Sequence, residues 1–526
     1  MTVDRSDVVV VGAGLAGMRA ALAAEEAGAQ VALVDRGAIG TGTNSALSNA
    51  AFSGPASPDS AETYVRLVVE IGKGLNRLSR VRQVAQDAPA AIRFLQSLGL
   101  EIAAGTGSWL VRSPRPEVIP GIPLVRRVAE LVSKRSGIRI ERGLRVTALL
   151  RGARRILGVR GTDLRGQERE LLAPAVILAC GGAGALYPKH DNQATILGQG
   201  YYLAARAGLR LWDMEFVQFY PLILDEPGWP MMMLYPPLPT EARLVGAAGE
   251  DLVQKHELGD INRAIVQRRD SFSALLLAEA ETGPVCMDLT RVPDERWGRH
   301  PMSLLRRFKA TCRERPIRVT PAAHFCMGGV RTNAEGETDL PGLFACGEVV
   351  WGLHGANRMG GNALMECLVS GVIVGRAAAA SARVAGDPGQ PLPAEHPTAA
   401  GAASLTLPAL RKRIQETAWR FAGVVRSAEG MTRGLAEAEA IFAALAALDP
   451  HTLKDRILRE DLLSAAFTLR AILTAGLPRQ ESRGAFIRRD YLDQDDARWR
   501  KNSCLAWDPA TDRFTVSHSP SEADGK

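Results

Sequence analysis

Apolar residues run along this chain in two rhythms. Residues 8–11 are four consecutive valines behind Asp7, the continuous apolar run of a strand buried on both faces. Residues 15–27 follow as an uninterrupted, alanine-rich helical stretch, and residues 30–34 as a second strand ending in Asp35. That order predicts a βαβ unit. Residues 175–184 (AVILACGGAG) repeat the buried-strand pattern and stop in a glycine cluster, and residues 322–330 and 343–346 resume it. Between these blocks, residues 212–318 lose the rhythm: they hold many prolines and the run Met231, Met232, Met233, which predicts an inserted domain. Residues 386–404, rich in Pro, Gly and Ala, read as a linker. Amphipathic periodicity over residues 407–448 and 462–475 predicts a helical C-terminal domain, with residues 519–526 frayed.

Composition narrows the class. At 526 residues the chain exceeds one simple core, so two or three domains are expected. The net charge of +7 is spread without like-charge runs or a basic stripe with interleaved aromatics, which argues against nucleic acid. The seven cysteines form no C-x-x-C or other metal spacing. No metal site and no iron–sulfur cluster of the chain's own is expected, and the odd, scattered set suits a reducing compartment. The strand at residue 7 leaves no room for a signal peptide. The longest apolar stretch, residues 171–186, is broken by Gly181, Gly182 and Gly184, so no membrane-spanning helix is expected. The expected location is cytoplasmic, or peripheral on the cytoplasmic face of a membrane.

Two motifs carry chemistry. Gly12, Gly14 and Gly17 lie between the first strand and the helix, where they serve a tight turn, close approach to a pyrophosphate, and close helix–strand packing. The helix N-terminus then faces the phosphates, and Asp35 stands about 20 residues on, placed to accept from a ribose. Gly182 suggests a second close backbone approach to a ligand. Residues 343–368 (LFACGEVVWGLHGANRMGGNALMECL) bring a cation, polar groups and a helix N-terminus to where a flavin ring and an anionic substrate need them. Together the motifs point to a flavin enzyme.

From about residue 7 to about residue 508 the chain resembles the flavoprotein subunits of succinate dehydrogenase and fumarate reductase, with L-aspartate oxidase as a near relative. The blocks VVVVGAGLAGMRAALAAEEAG, ACGGAGALY, DMEFVQFYP, HFCMGG, HGANR and RQESRGAFIRRDY carry the likeness. The resemblance implies an α/β fold: a Rossmann-like FAD-binding domain (residues 1–212 and 323–385), an inserted α+β capping domain (213–322) that meets the substrate, the linker (386–404) and a C-terminal helical domain (405–526). It implies hydride transfer between flavin and a C–C or C=C unit beside a carboxylate. Arg263 is expected to move the proton with Glu241 as its relay, while His324 and Arg358 hold the carboxylate. An arginine fork suits a carboxylate, and polarising that group stabilises charge that develops beside it. Glu348 is matched to the flavin ribityl chain. Asn362, Ala363 and Leu364 are matched to a helix N-terminus facing the flavin pyrimidine edge.

Three departures shape the expectation. Tyr220 and Leu222 stand where the dicarboxylate enzymes carry His and Thr, so a second carboxylate loses partners and a larger or apolar substituent is expected. Asn44, followed by Ser45, stands near the position of the flavin-linking His, and no His precedes His190, so the FAD is expected to be noncovalent. Gln199 replaces an acidic residue near the FAD. The expected partners are a small carboxylate substrate and an iron–sulfur or other electron-transfer subunit. The alternatives are an amine oxidase of the L-aspartate oxidase kind and an FAD-bearing electron-transfer subunit without substrate chemistry.

Overall fold

The computed structural model describes residues 2–385 and 405–522. The stretch read as a linker, residues 386–404, lies outside the described residues, as do residues 523–526. At the centre is a five-stranded sheet in the order Leu343–Ala345, Ala175–Leu178, Val8–Val11, Val31–Asp35, Ile138–Arg142. Every pairing in it is parallel. The four valines are at most 4% exposed, as a strand covered on both faces requires. Helix Leu15–Glu26 packs lengthwise on helix Asn362–Val384. Their backbones approach closely, because a Cβ on Gly371 or Gly375 would fall 2.8 Å from Ala16 O or 2.3 Å from Ala20 O.

Helix Asn362–Val384 is long and apolar enough to cross a membrane, although polar residues and glycines interrupt its apolar run. Here it is a core helix, with its apolar face taken up by the first helix and the parallel sheet. The inserted region has its own core under an antiparallel sheet, in the order Val217–Leu224, Ile317–Cys326, Cys286–Asp288, Arg243–Val245.

The C-terminal region departs from the helical expectation in two places. The stretch 407–448 is two helices, Leu407–Phe421 and Ala428–Ala447, the second capped by the Ser427 side chain. Beyond helix Leu453–Gly476 the chain forms a hairpin, Lys501–Asp508 with Arg513–Pro520, which joins Leu211–Trp212 and Gly329–Val330 in one sheet. Residues 519 and 520 are therefore paired strand. The alternation in RFTVSHSP is a strand's period of two, stabilised by its ladder to residues 501–508.

Candidate functional site

Two cavities meet beside the parallel sheet, and the first is built largely from backbone. Strand Val8–Val11 leads into Gly12 at φ +105°, a conformation open to glycine, and a Cβ there would lie 2.4 Å from Ala179 O. Gly17 packs the helix on this turn, its Cβ position falling 1.9 Å from Gly12 O. Gly14 is different. A Cβ there meets nothing nearer than Ser45 Oγ at 3.7 Å, so the space beside it is open, directly before helix Leu15–Glu26. Open space at a helix N-terminus suits a pyrophosphate. Asp35 lines the same cavity and locks the turn. Its Oδ2 accepts from the Ala13 N–H and its Oδ1 from the Gly37 N–H, both at 2.8 Å, while burial raises its pKa.

The far wall comes from later in the chain. Gln199 lines it and donates through Nε2 to Val146 O (2.7 Å). Arg36 and Arg145 line it too, and both donate to Asp461 of helix Leu453–Gly476, so the C-terminal region closes this end. Asn44, Ser45, Glu348 and Cys367 line both cavities and mark their junction. Ser45 Oγ accepts from the Leu15 N–H (3.2 Å), and Asn44 is fixed between the Gln193 N–H and Asn192 Oδ1. Glu348 Oε1 accepts from the Cys326 N–H (3.1 Å), and burial pushes the carboxyl up to about 7. A cavity running from the open turn past Asp35 to this junction fits an extended dinucleotide such as FAD.

Two residues matched to the cofactor are turned away from the cavity. A Cβ on Gly182 would lie 2.2 Å from Glu348 Oε1, so Gly182 makes room for that carboxylate, and Gly181 is the one that lines the cradle. Asn362 opens its helix fully buried, with Oδ1 accepting from Tyr64 Oη (3.0 Å). Ala363 and Leu364 do face the second cavity, beside Gly360 and Gly361.

The second cavity is built from side chains. His324 comes from strand Ile317–Cys326, and Arg358 from the loop before helix Asn362–Val384. His324 Nδ1 lies 2.8 Å from Asp191 Oδ2, and its Nε2 lies 2.8 Å from Arg358 Nη2. A guanidinium only donates, so Nε2 accepts and the ring proton sits on Nδ1, directed at Asp191. Arg358 also donates to Gln218 Oε1 (3.0 Å) and lies 4.8 Å from the centre of the Phe325 ring. Burial first, and then the neighbouring Arg269, hold its pKa down to about 10. Its Nε has no hydrogen-bond partner, and no carboxylate among the described residues forms an ion pair with it. A buried cation left this way favours an anionic ligand.

The structure places Arg263, matched to the proton-moving arginine, outside this cavity. Arg263 is exposed on the short helix Ile261–Gln267, with its Nε donating to Gln267 Oε1, and it does not line the cavity. Asp260 caps that helix at the Arg263 N–H, which fixes the side chain in the first, outward turn. Arg269, on the next helix, Arg269–Glu279, lines the cavity instead. Its Nη2 donates to Asn357 Oδ1 (2.6 Å) and Arg358 O (2.7 Å), and its Nε lacks a hydrogen-bond partner. Glu241 likewise stands apart: it accepts from Thr240 and does not line the cavity. The carboxylate beside Arg269 is Asp270, 3.9 Å from its Nε and raised in pKa by burial.

Tyr220 lines the cavity, and its hydroxyl donates to Leu234 O (3.0 Å). Leu222 is fully buried in the inserted region's core and does not line the cavity. Met233 and Tyr235 add to an apolar and aromatic wall. Besides Arg269, sequence reasoning passed over Asp191, Gln218 and Asn357. Gln218 and Asn357 sit inside motifs already singled out, FVQFYP and HGANR, where their polarity within apolar or glycine-rich runs was the available signal.

A dinucleotide cradle that ends against a buried, arginine-lined cavity defines an FAD-dependent oxidoreductase. Residues 7–364 match the FAD binding domain family, and residues 411–524 match the fumarate reductase flavoprotein C-terminal family. L-aspartate oxidase of Caulobacter vibrioides is 35% identical over 519 residues, covering 93% of this chain and 94% of that protein. The Streptomyces coelicolor L-aspartate oxidase is 30% identical over 563 residues, covering 98% and 93%. Among solved structures, Escherichia coli quinol fumarate reductase FrdA, in a variant form, superposes with a TM-score of 0.86 at 23% identity, covering 99% of this chain and 97% of that one. The chain belongs to the succinate dehydrogenase/fumarate reductase flavoprotein family, which these L-aspartate oxidases share.

Proposed function

We propose that this enzyme exchanges a hydride with a carbon next to a carboxylate, and that Arg358, His324 and Arg269 hold that carboxylate and manage the accompanying proton. The observation that carries the reading is the pair of arginines at the cavity, one of them buried without an ion-pair partner. Bound FAD supplies the hydride acceptor or donor. Arg358 offers its guanidinium to the anion, and the Asp191–His324 bond holds the ring against Arg358. Nη2 of Arg269 is tied to backbone and Asn357 and its Nε lies 3.9 Å from Asp270, which leaves Nη1 for the reacting carbons; Asp270 is the nearby group able to resupply a proton. Residues 213–322 act as the cap over this cavity, contributing Tyr220, Met233, Tyr235 and Arg269.

Two substrate chemistries share this reading. Oxidation of a C–N bond is supported by the L-aspartate oxidases among the relatives. Reduction or oxidation of a C–C unit is supported by the cavity, whose carboxylates, Asp191 and Glu348, are already engaged and offer an ammonium little. Anaerobic mixing with amino acids and with saturated carboxylates, and mixing of the reduced enzyme with unsaturated carboxylates, separates the two by which set changes the flavin spectrum. Silence from all sets refutes the reading and leaves an electron-transfer role.

Electrons leave or enter through a partner subunit in the C–C case, and through oxygen or a soluble carrier in the oxidase case. One of the structural neighbours, Mycobacterium smegmatis Sdh1, was solved as a complex. Co-purification of a cysteine-rich protein from the native host supports the first; full turnover of the isolated chain with oxygen supports the second. The described cysteines are all unpaired, which supports a cytoplasmic location. The FAD is held noncovalently, so acid precipitation releases a yellow supernatant; flavin retained in the pellet contradicts this.

A further inference from the structure

Among the described residues, none beyond Cys367 lines the cofactor cradle, yet the C-terminal region is fastened to the cradle wall at two points. The first is Asp461, buried on helix Leu453–Gly476. Its two oxygens take both ends of the Arg36 fork, at 2.9 and 2.8 Å, and its Oδ1 also accepts from Arg145 Nη1 at 2.8 Å. Arg36 directly follows strand Val31–Asp35, and Arg145 opens strand Arg145–Arg151; both arginines line the cradle. The second point is Thr468. A Cβ on Gly198 would fall 2.0 Å from Thr468 Oγ1, so the glycine makes room for that hydroxyl. Gly198, at φ +83°, leads into helix Gln199–Arg206, and Gln199 lines the cradle. Asp461 and Thr468 are seven residues apart on their helix, about two turns, so one face of it makes both contacts.

We infer that Asp461 is a positioning residue for the cofactor: it fixes Arg36 and Arg145 in the cradle wall and so couples FAD binding to the docking of helix Leu453–Gly476. The inference concerns the cofactor and holds whichever substrate chemistry applies. An arginine side chain has many rotamers, and ordering two of them when a ligand arrives costs affinity. Asp461 orders them beforehand through three charge-assisted bonds, two of them a bidentate pair with Arg36. The coupling runs both ways: whatever free energy the docked helix adds to FAD binding, bound FAD adds to the docking of the helix. A second effect opposes the first, because the Asp461 carboxylate cancels positive charge near an anionic cofactor. If charge governed, removing the carboxylate would tighten FAD binding; if order governs, it loosens it. Order prevails because the Arg36 side chain is partly exposed, and once released from Asp461 it turns to water and leaves the wall.

The test has two arms, both on the full chain. In the first, hydrogen exchange of helix Leu453–Gly476 is followed with and without FAD. Bound FAD is expected to slow exchange there by about tenfold. In the second, FAD release is timed by the rise of free-flavin fluorescence on dilution. Asp461→Asn keeps the side chain's shape and removes its charge, and is expected to release FAD about tenfold faster than the unaltered chain. Asp512→Asn is the control. It weakens the Arg470–Asp512 pair of the same helix, neither member of which lines the cradle, and is expected to change release by less than about twofold. Thermal unfolding of the FAD-free proteins is read alongside, since a merely structural Asp461 would lower that temperature and leave release unchanged. The inference is overturned if FAD leaves exchange in helix Leu453–Gly476 unaltered, or if Asp461→Asn releases FAD no faster than Asp512→Asn. Slower release from Asp461→Asn overturns it too, as the mark of charge over order. If Asp461→Asn does not fold, the exchange arm on the unaltered chain decides alone.

Discussion

The cofactor cradle and the carboxylate cavity are neighbours that share Asn44, Ser45, Glu348 and Cys367, yet they are made in different ways. The cradle's critical features are backbone: a positive φ at Gly12, open space at Gly14, a helix N-terminus and N–H groups tied to Asp35. Its central turn is contiguous in sequence. The cavity's critical features are side chains from Asp191, Gln218, Arg269, His324 and Arg358, drawn from five separate segments. A backbone site is encoded by local spacing. A side-chain site is encoded by how segments pack, and a shift of a few residues changes which group arrives.

The largest expected effect breaks the cradle. Gly12→Val adds a side chain at φ +105° and within 2.4 Å of Ala179 O, and is expected to abolish folded protein in expression and circular dichroism assays. At Gly14 an added Cβ meets no protein atom nearer than 3.7 Å, and Gly14→Val is expected to fold without FAD, read as loss of the flavin's visible absorbance. Equal behaviour of the two variants contradicts the distinction between a structural and a ligand-facing glycine.

Next comes the anion site. Arg358→Lys replaces a planar fork with a point charge beside His324 and Gln218, and is expected to lower kcat/KM by about a hundredfold or more with FAD retained. His324→Gln, measured the same way, is expected to show a smaller loss, because the amide oxygen can still accept from Arg358 and the guanidinium stays in place.

A subtler test uses the junction. Burial holds Glu348 up at about 7, against an ordinary value of 4.5. Between those values the folded, FAD-free protein binds more protons than the unfolded chain, so its stability falls as pH rises through this window. The full effect is roughly 3 kcal/mol. Chemical denaturation at about pH 5 and about pH 8 is expected to show the decline, and Glu348→Gln to flatten it.

These differences track what was legible beforehand. The βαβ unit, the inserted region and the glycine turn at Gly12, Gly14 and Gly17 follow from periodicity and spacing, because they are local properties. His324 and Arg358 were marked by unusual polar residues in glycine-rich strings. The arginine on the cap was not, because INRAIVQRRD offers Arg263, Arg268 and Arg269 within one apparent helix. The chain in fact breaks at Arg268 into two helices, and only the second points an arginine inward. The C-terminal hairpin was missed for a similar reason: its alternating pattern is weakly apolar and gains its stability from pairing with a strand already in place.

The assignment of Arg269 is therefore the most direct test of the account. The measurement is the single-turnover rate of flavin reduction or reoxidation with the best carboxylate substrate, compared between Arg269→Ala and Arg263→Ala, each with FAD content confirmed. The account predicts a loss of about a thousandfold for Arg269→Ala and a change within about twofold for Arg263→Ala. A large loss at Arg263 with Arg269 dispensable would contradict it.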